Sequence, residues 1–167
     1  MITRALAFFA CLPLEVVIMS FKTGLVGFLL FGVISLNAVA EVRLLEGWTR
    51  SPPPGVDRLA IYGRLVNDGD TPVVLSRLEL AGAGQVMLHE TVMDAGQMRM
   101  RHIDPIELSP SKALVMAPQG LHLMVMGLAR SPQAGETLTI KATTRLDEVH
   151  TFLVRVQPIT ALGPVPN

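Results

Sequence analysis

Beyond residue 40, apolar residues alternate with polar ones in short runs broken by Gly, Pro, Asn and Asp. Successive side chains of a strand point to opposite faces, so this alternation marks half-buried strands. Nine runs read this way: 41–50, 58–66, 72–81, 85–91, 97–103, 113–116, 122–128, 137–142 and 149–156. No run holds apolar residues at helical spacing between two caps. Ser51-Pro52-Pro53-Pro54-Gly55 reads as a loop, because three successive prolines cannot donate to a ladder. Asn67-Asp68-Gly69-Asp70 reads as a turn in which Gly69 supplies a positive φ. Many short strands at this spacing predict an all-β sandwich or barrel. Residues 41–160 are expected to form one domain, large enough to fold without a metal, and residues 161–167 a flexible tail.

The first 40 residues have a different pattern. Lys22 precedes an apolar run over Gly24–Ser35, and Ala38-Val39-Ala40 follows. A basic start, a short apolar stretch and an A-x-A site form a secretory signal, with cleavage expected before Glu41. An earlier apolar run, Ala5–Met19, is interrupted by Pro13 and Glu15, which leaves Met19 as an alternative initiator. The run after Lys22 is shorter than the roughly 20 residues a membrane span needs, which favours cleavage over an anchor. The one cysteine, Cys11, lies in this leader. The mature chain would then have no disulfide and no thiolate chemistry. With 14 basic and 14 acidic residues, the charge is balanced and gives no reason to expect nucleic acid or acidic lipid as a partner.

The chemistry-bearing residues concentrate between His89 and Met126, which hold three of the four histidines and six of the nine methionines. His89 is followed after ten residues by Met100, and Met100 after twenty-one by His122, in His122-Leu123-Met124. His122 and Met124 share a strand face, and so do Met98, Met100 and His102. If the three strands met at one edge of a sandwich, His89, Met100, His122 and Met124 would form a set of two imidazoles and two thioethers. Soft, neutral sulfur favours Cu(I), whereas zinc prefers Cys, His or carboxylate. A blue-copper site would need a cysteine. One Cu(I) per chain is therefore expected, held near the surface and released to a thiolate-bearing acceptor.

Methionine more often fills gaps in a core, and Met87, Met116 and Met126 read that way, with Met126 also on the His122 face. Met93, placed in a loop after His89, and Met98 are alternative ligands. His102 reads as a surface histidine and is the main rival ligand, while His150 reads as structural. Leu121 and Leu123 read as core beneath the site. Seven methionines with one Tyr, one Trp and no Cys beyond the leader make coincidence a weak explanation.

The spacing His89-x10-Met100-x21-His122-x-Met124 resembles that of the bacterial periplasmic copper chaperones called PCu(A)C. The segments Gly47-Trp48-Thr49-Arg50, Leu88-His89-Glu90, Met98-Arg99-Met100-Arg101 and His122–Leu128 are similar too, so the resemblance spans the mature chain. It implies a cupredoxin-like β-sandwich of Greek-key type, a periplasmic location, Cu(I) binding by His89, Met100, His122 and Met124, and delivery toward the copper centres of cytochrome c oxidase. The chain departs from the family in two places. Glu90 follows the first histidine where many members have Met, and the end, ALGPVPN, lacks the His/Met-rich tail that helps some members handle a second copper.

The expected function is thus that of a non-enzymatic, monomeric Cu(I) carrier. Its partners would be copper and an oxidase copper-centre subunit or another copper carrier, with membrane contact only through an uncleaved leader. A copper buffer or resistance protein that passes the ion to nobody is the alternative. No nucleophile–base pair or paired carboxylates suggest an enzyme.

Overall fold

The computed structural model describes residues 42–165, so the leader, Cys11, Met19, the cleavage site and the last two residues lie outside the described part. Ten strands follow in order: β1 Val42–Arg50, β2 Arg58–Asn67, β3 Val73–Leu80, β4 Gln85–Asp94, β5 Gln97–Ile103, β6 Ile106–Leu108, β7 Ala113–Met116, β8 Leu121–Met126, β9 Thr137–Thr144 and β10 Val149–Gln157. They form one curled mixed sheet in the order β5-β4-β8-β2-β1-β10-β9-β3-β6, with β7 on β2. The β1–β10 pair is parallel, and the other pairs are antiparallel.

Alternation puts every second side chain on one core. Leu59, Ile61 and Leu65 of β2, Val86 and Leu88 of β4, and Leu123 and Val125 of β8 meet Leu75 and Leu80 of β3, Ile140 of β9, and Phe152 and Val154 of β10. Burying an aliphatic side chain of this size contributes about 1.5–3 kcal/mol. The core face of β4 and β8 is thereby set, and His89, His122 and Met124 are turned to the opposite face.

Several boundaries differ from the sequence reading, each for a local reason. β6 was not anticipated, since three residues are too short to show a period. It pairs with Val73–Leu75. β4 continues to Asp94 because Ala95 and Gly96, at φ 46° and 79°, form a two-residue hairpin turn into β5. Met93 is therefore a strand residue, not a loop residue. β8 stops at Met126, before Gly127 at φ 69°. The bend after β2 does not use a positive φ at Gly69. The buried Asn67 side chain closes it instead, accepting from the Gly69 N–H at 3.0 Å.

A histidine and methionine face at the edge of the sheet

The candidate ligands lie on three neighbouring strands, β5, β4 and β8, at the open edge of the sheet. His89 of β4 is the direct partner of His102 on one side and of His122 on the other. The three imidazoles form a row. Ring centroids are 5.7 Å apart for His89–His102 and 6.1 Å for His89–His122, both nearly perpendicular. Two imidazoles sharing an ion about 2 Å from each nitrogen would have centroids about 5–6.5 Å apart, so either pair fits. Aromatic rings extend the row. Tyr62 lies 6.4 Å from His122, and Trp48 lies 4.9 Å from Tyr62, with the Arg50 guanidinium 5.6 Å above the indole.

His122 is buried and its tautomer is assigned by its partner. The Nδ1–H donates to the Gly120 carbonyl at 3.0 Å, which leaves Nε2 as the lone-pair nitrogen. The same carbonyl accepts from the Thr91 N–H at 3.2 Å and so joins the β7–β8 turn to β4 beside His89. Gln119, at φ 67°, and the Gly120 N–H to Ala117 carbonyl bond shape that turn. The Nδ1 of His89 is buried without a hydrogen-bond partner, as a nitrogen reserved for a metal would be. Desolvation, then the neighbouring His122 and His102, push His89 below the ordinary histidine value. That favours the neutral, metal-binding form.

The thioethers surround this row. Met124 stands two residues along β8 from His122, half-buried. Met87 stands two residues along β4 from His89 and is the direct partner of Met124. Met87 is thus not part of the core, contrary to the sequence reading, and neither it nor Met124 belongs to the core cluster. Met100 lies on β5 opposite Thr91, on the other side of the histidine row from Met124. It is 61 % exposed. Met93 and Met98 face each other at the hairpin tip, also exposed on this face. Met126 shares the face and lies opposite Gln85 and Arg58, while Met116 is buried in the core.

Of the four residues singled out from spacing, the structure brings His89, His122 and Met124 into one patch and sets Met100 across the row. His102 is exposed, as the sequence reading has it, and it is also the cross-strand neighbour of His89. His150 sits on β10 opposite Ala142, away from these strands, with Nε2 buried and unpartnered. Leu123 is fully buried and Leu121 partly so, beneath the site. Glu90 faces away from the histidines, and its carboxylate accepts from Arg101, its cross-strand partner. Among the described residues no three histidine or acidic side chains converge on one point, so an ion here would take further donors from sulfur.

Comparison with known proteins places the chain in a family. The model of the family described as "Putative lipoprotein LpqE-like" matches residues 42–156. A curated relative, "Putative lipoprotein Lxx21020" of Leifsonia xyli subsp. xyli, is 27 % identical over 116 residues, covering 69 % of this chain and 68 % of its own. Among solved structures, the apo PmoF2 PCuAC domain matches with TM-score 0.63 at 23 % identity, covering 75 % of this chain and 97 % of its own. The copper-bound PCuAC domain from PmoF2 matches with TM-score 0.59 at 24 % identity, over 72 % and 96 %. The Cu(I) form of DR1885 from Deinococcus radiodurans matches with TM-score 0.55 at 26 % identity, over 75 % and 85 %. The fold is that of the PCuAC domains, and the chain belongs to the LpqE-like family.

Proposed function

We propose that the protein is an extracytoplasmic Cu(I) carrier that delivers copper toward the assembly of cytochrome c oxidase copper centres. The observation that carries this reading is the His89–His122 pair, with ring centroids 6.1 Å apart, one ring oriented by the Gly120 carbonyl and Met124 beside it. Two neutral nitrogens and thioether sulfur suit Cu(I), and four neutral donors would leave the ion transferable to a thiolate. His89, His122 and Met124 are the fixed ligands. Met100, exposed on the β4–β5 hairpin, is the ligand that arrives or leaves with the ion. The copper-bound relatives support the metal, since they share the fold.

The relatives' description as lipoproteins supports a place outside the cytoplasm. Cys11 is the chain's one thiol for a lipid, and cleavage before Glu41 would discard it. The mass of protein extracted from cells separates an acylated form from a cleaved one.

The reading is tested by anaerobic Cu(I) titration against a coloured chelator. One tight equivalent is expected in the parent, weakened in His122→Ala and in Met100→Ala. Equal binding by all three would overturn it. Loss of the gene should lower oxidase assembly. If it raises only copper sensitivity, the protein is a copper buffer.

A further inference from the structure

We infer that the free edge of β5 is a docking edge for the copper acceptor, which adds to it an extended strand with acidic side chains on one face. The inference rests on the Cu(I) carrier reading above and concerns the chemistry of the partner. β5 and β6 are the two ends of the strand order. An outer strand exposes unpaired N–H and C=O groups that can template another strand. β6 is three residues long, too short to do so. β5 is seven residues long, holds an unbroken register with β4, and pairs with β4 alone among the described residues.

The hairpin turn fixes which backbone groups are free. Ala95 and Gly96, both at positive φ, make a two-residue loop, so Asp94 and Gln97 close it as the first hydrogen-bonded pair. Along an antiparallel ladder, hydrogen-bonded pairs alternate with non-hydrogen-bonded ones. Gln97, Arg99, Arg101 and Ile103 therefore bond to β4, while the N–H and C=O groups of Met98, Met100 and His102 point away from it. These three residues also carry the side chains that share a face with His89. An added strand thus bonds to the main chain of the very residues that border the copper site. A side chain set opposite Met100 has its Cβ about 5 Å from that of Met100. A cysteine at that place brings the acceptor's thiol beside the site.

The other face of the hairpin selects the partner's charge. Arg99 and Arg101 stand there in a row, both exposed, beside an acidic row on β4. The Arg99 Nε lies 3.4 Å from the Asp94 carboxylate, and Arg101 donates to Glu90. Unlike charges directly opposite stabilise a strand pair, and like charges destabilise it. An acidic row followed by a basic one is therefore continued best by a third strand that is acidic again. A second copy of the chain does not fit. In the fullest antiparallel self-pairing, centred on Met100, Arg99 of each copy would face Arg101 of the other.

The two faces divide the work of recognition. Main-chain bonds to Met98, Met100 and His102 supply affinity for any extended segment, and the side chains on alternate positions supply selectivity. The arginine face demands carboxylates. The methionine face, with Met93 and Met98 exposed at the hairpin tip, offers apolar surface for the added strand to cover.

The test uses two capped peptides matched in length to β5, one alternating glutamate with threonine and one alternating lysine with threonine. Binding at low salt is followed by amide NMR and amide hydrogen exchange on the protein. In the free protein the N–H groups of Met98, Met100 and His102 should exchange fast, and those of Arg99 and Arg101 slowly. The glutamate peptide should slow the first three and bind at least about tenfold tighter than the lysine peptide. Arg99→Glu/Arg101→Glu should reverse that preference. Arg99→Gln/Arg101→Gln, the milder change should the first disturb the hairpin, should abolish it and keep Cu(I) affinity within about twofold. Equal binding of the two peptides, or binding that leaves the three amides in fast exchange, would overturn the inference. So would slowing of those amides by raised protein concentration alone, which would mark self-pairing. A parent that binds Cu(I) and neither peptide loses the docking edge and keeps the carrier reading. A parent that takes the glutamate peptide but no Cu(I) overturns the carrier reading, and with it the copper acceptor as occupant.

Discussion

Replacing Asn67 tests whether one buried amide holds the end of β2 to the chain that returns beneath it. Asn67 is fully buried. Its Nδ2 donates to the Thr71 carbonyl at 2.7 Å and the Leu108 carbonyl at 3.1 Å, and its Oδ1 accepts from the Gly69 N–H at 3.0 Å. Asn67→Ala removes all three bonds. Each contributes about 1 kcal/mol net, and the Leu108 carbonyl, in the most enclosed of the three, adds about 1–3 kcal/mol if left unpaired. The expected loss is about 4–6 kcal/mol, a large part of the roughly 5–15 kcal/mol by which such a domain is stable. Asn67→Asp is the sharper variant. An ionised oxygen in place of Nδ2 would face two carbonyl oxygens, and a protonated one could donate to only one of them. The aspartate's folded pKa should thus lie above its unfolded value of about 3.9. The folded form then binds more protons than the unfolded one between those two values. Stability is therefore retained below about pH 4 and lost as pH rises to the folded pKa. Urea unfolding followed by circular dichroism, at pH 4.5 and pH 8, measures both effects. Asn67→Asp as stable as the parent at pH 8, or more stable at pH 8 than at pH 4.5 relative to Asn67→Ala, would refute the reasoning.

Further tests address the fold and the site. A side chain at Gly63, where φ is 138°, would bring Cβ to 2.9 Å from the Leu45 carbonyl oxygen. Gly63→Ala should cost about 2–4 kcal/mol, and an unchanged melting temperature would contradict the close approach to β1, whose register with β2 shifts between Leu45 and Trp48. In the metal-free protein His89 should titrate below its ordinary value of 6.5, because its site is desolvated beside two other imidazoles. The neutral ring is then favoured by folding, so this contribution is present above pH 6.5 and fades as pH falls through the folded pKa. Imidazole NMR reads it directly, and titration at or above 6.5 would contradict the arrangement. Glu90→Ala should leave Cu(I) affinity within about twofold of the parent, since Glu90 points to the opposite face and pairs with Arg101. A tenfold loss in chelator competition would put its carboxylate at the metal.

Much of the molecule follows from local pattern. Alternation along β2, with Leu59, Ile61 and Leu65 buried in turn, marks a strand and its core face before any partner is known. The period of two puts His122 and Met124 on one side of β8, and the Gly127 stop and the Ala95-Gly96 turn are local backbone chemistry. Pairing is different, because a residue's cross-strand neighbours depend on hydrogen bonds to segments far along the chain. Only the tertiary structure decides that β1 lies parallel to β10, that His89 stands between His102 and His122, and that the Gly120 carbonyl orients the His122 ring. Met87 shows the division most plainly. Its place two residues before His89 was legible, but its apolar character suggested the core. The burial of Val86 and Leu88 turns it outward, and the β4–β8 register then sets it against Met124. A one-residue slip in that register would put His89 across from a core leucine instead of His122. The ligand chemistry is thus written in residue types, and their convergence in the ladder that aligns them.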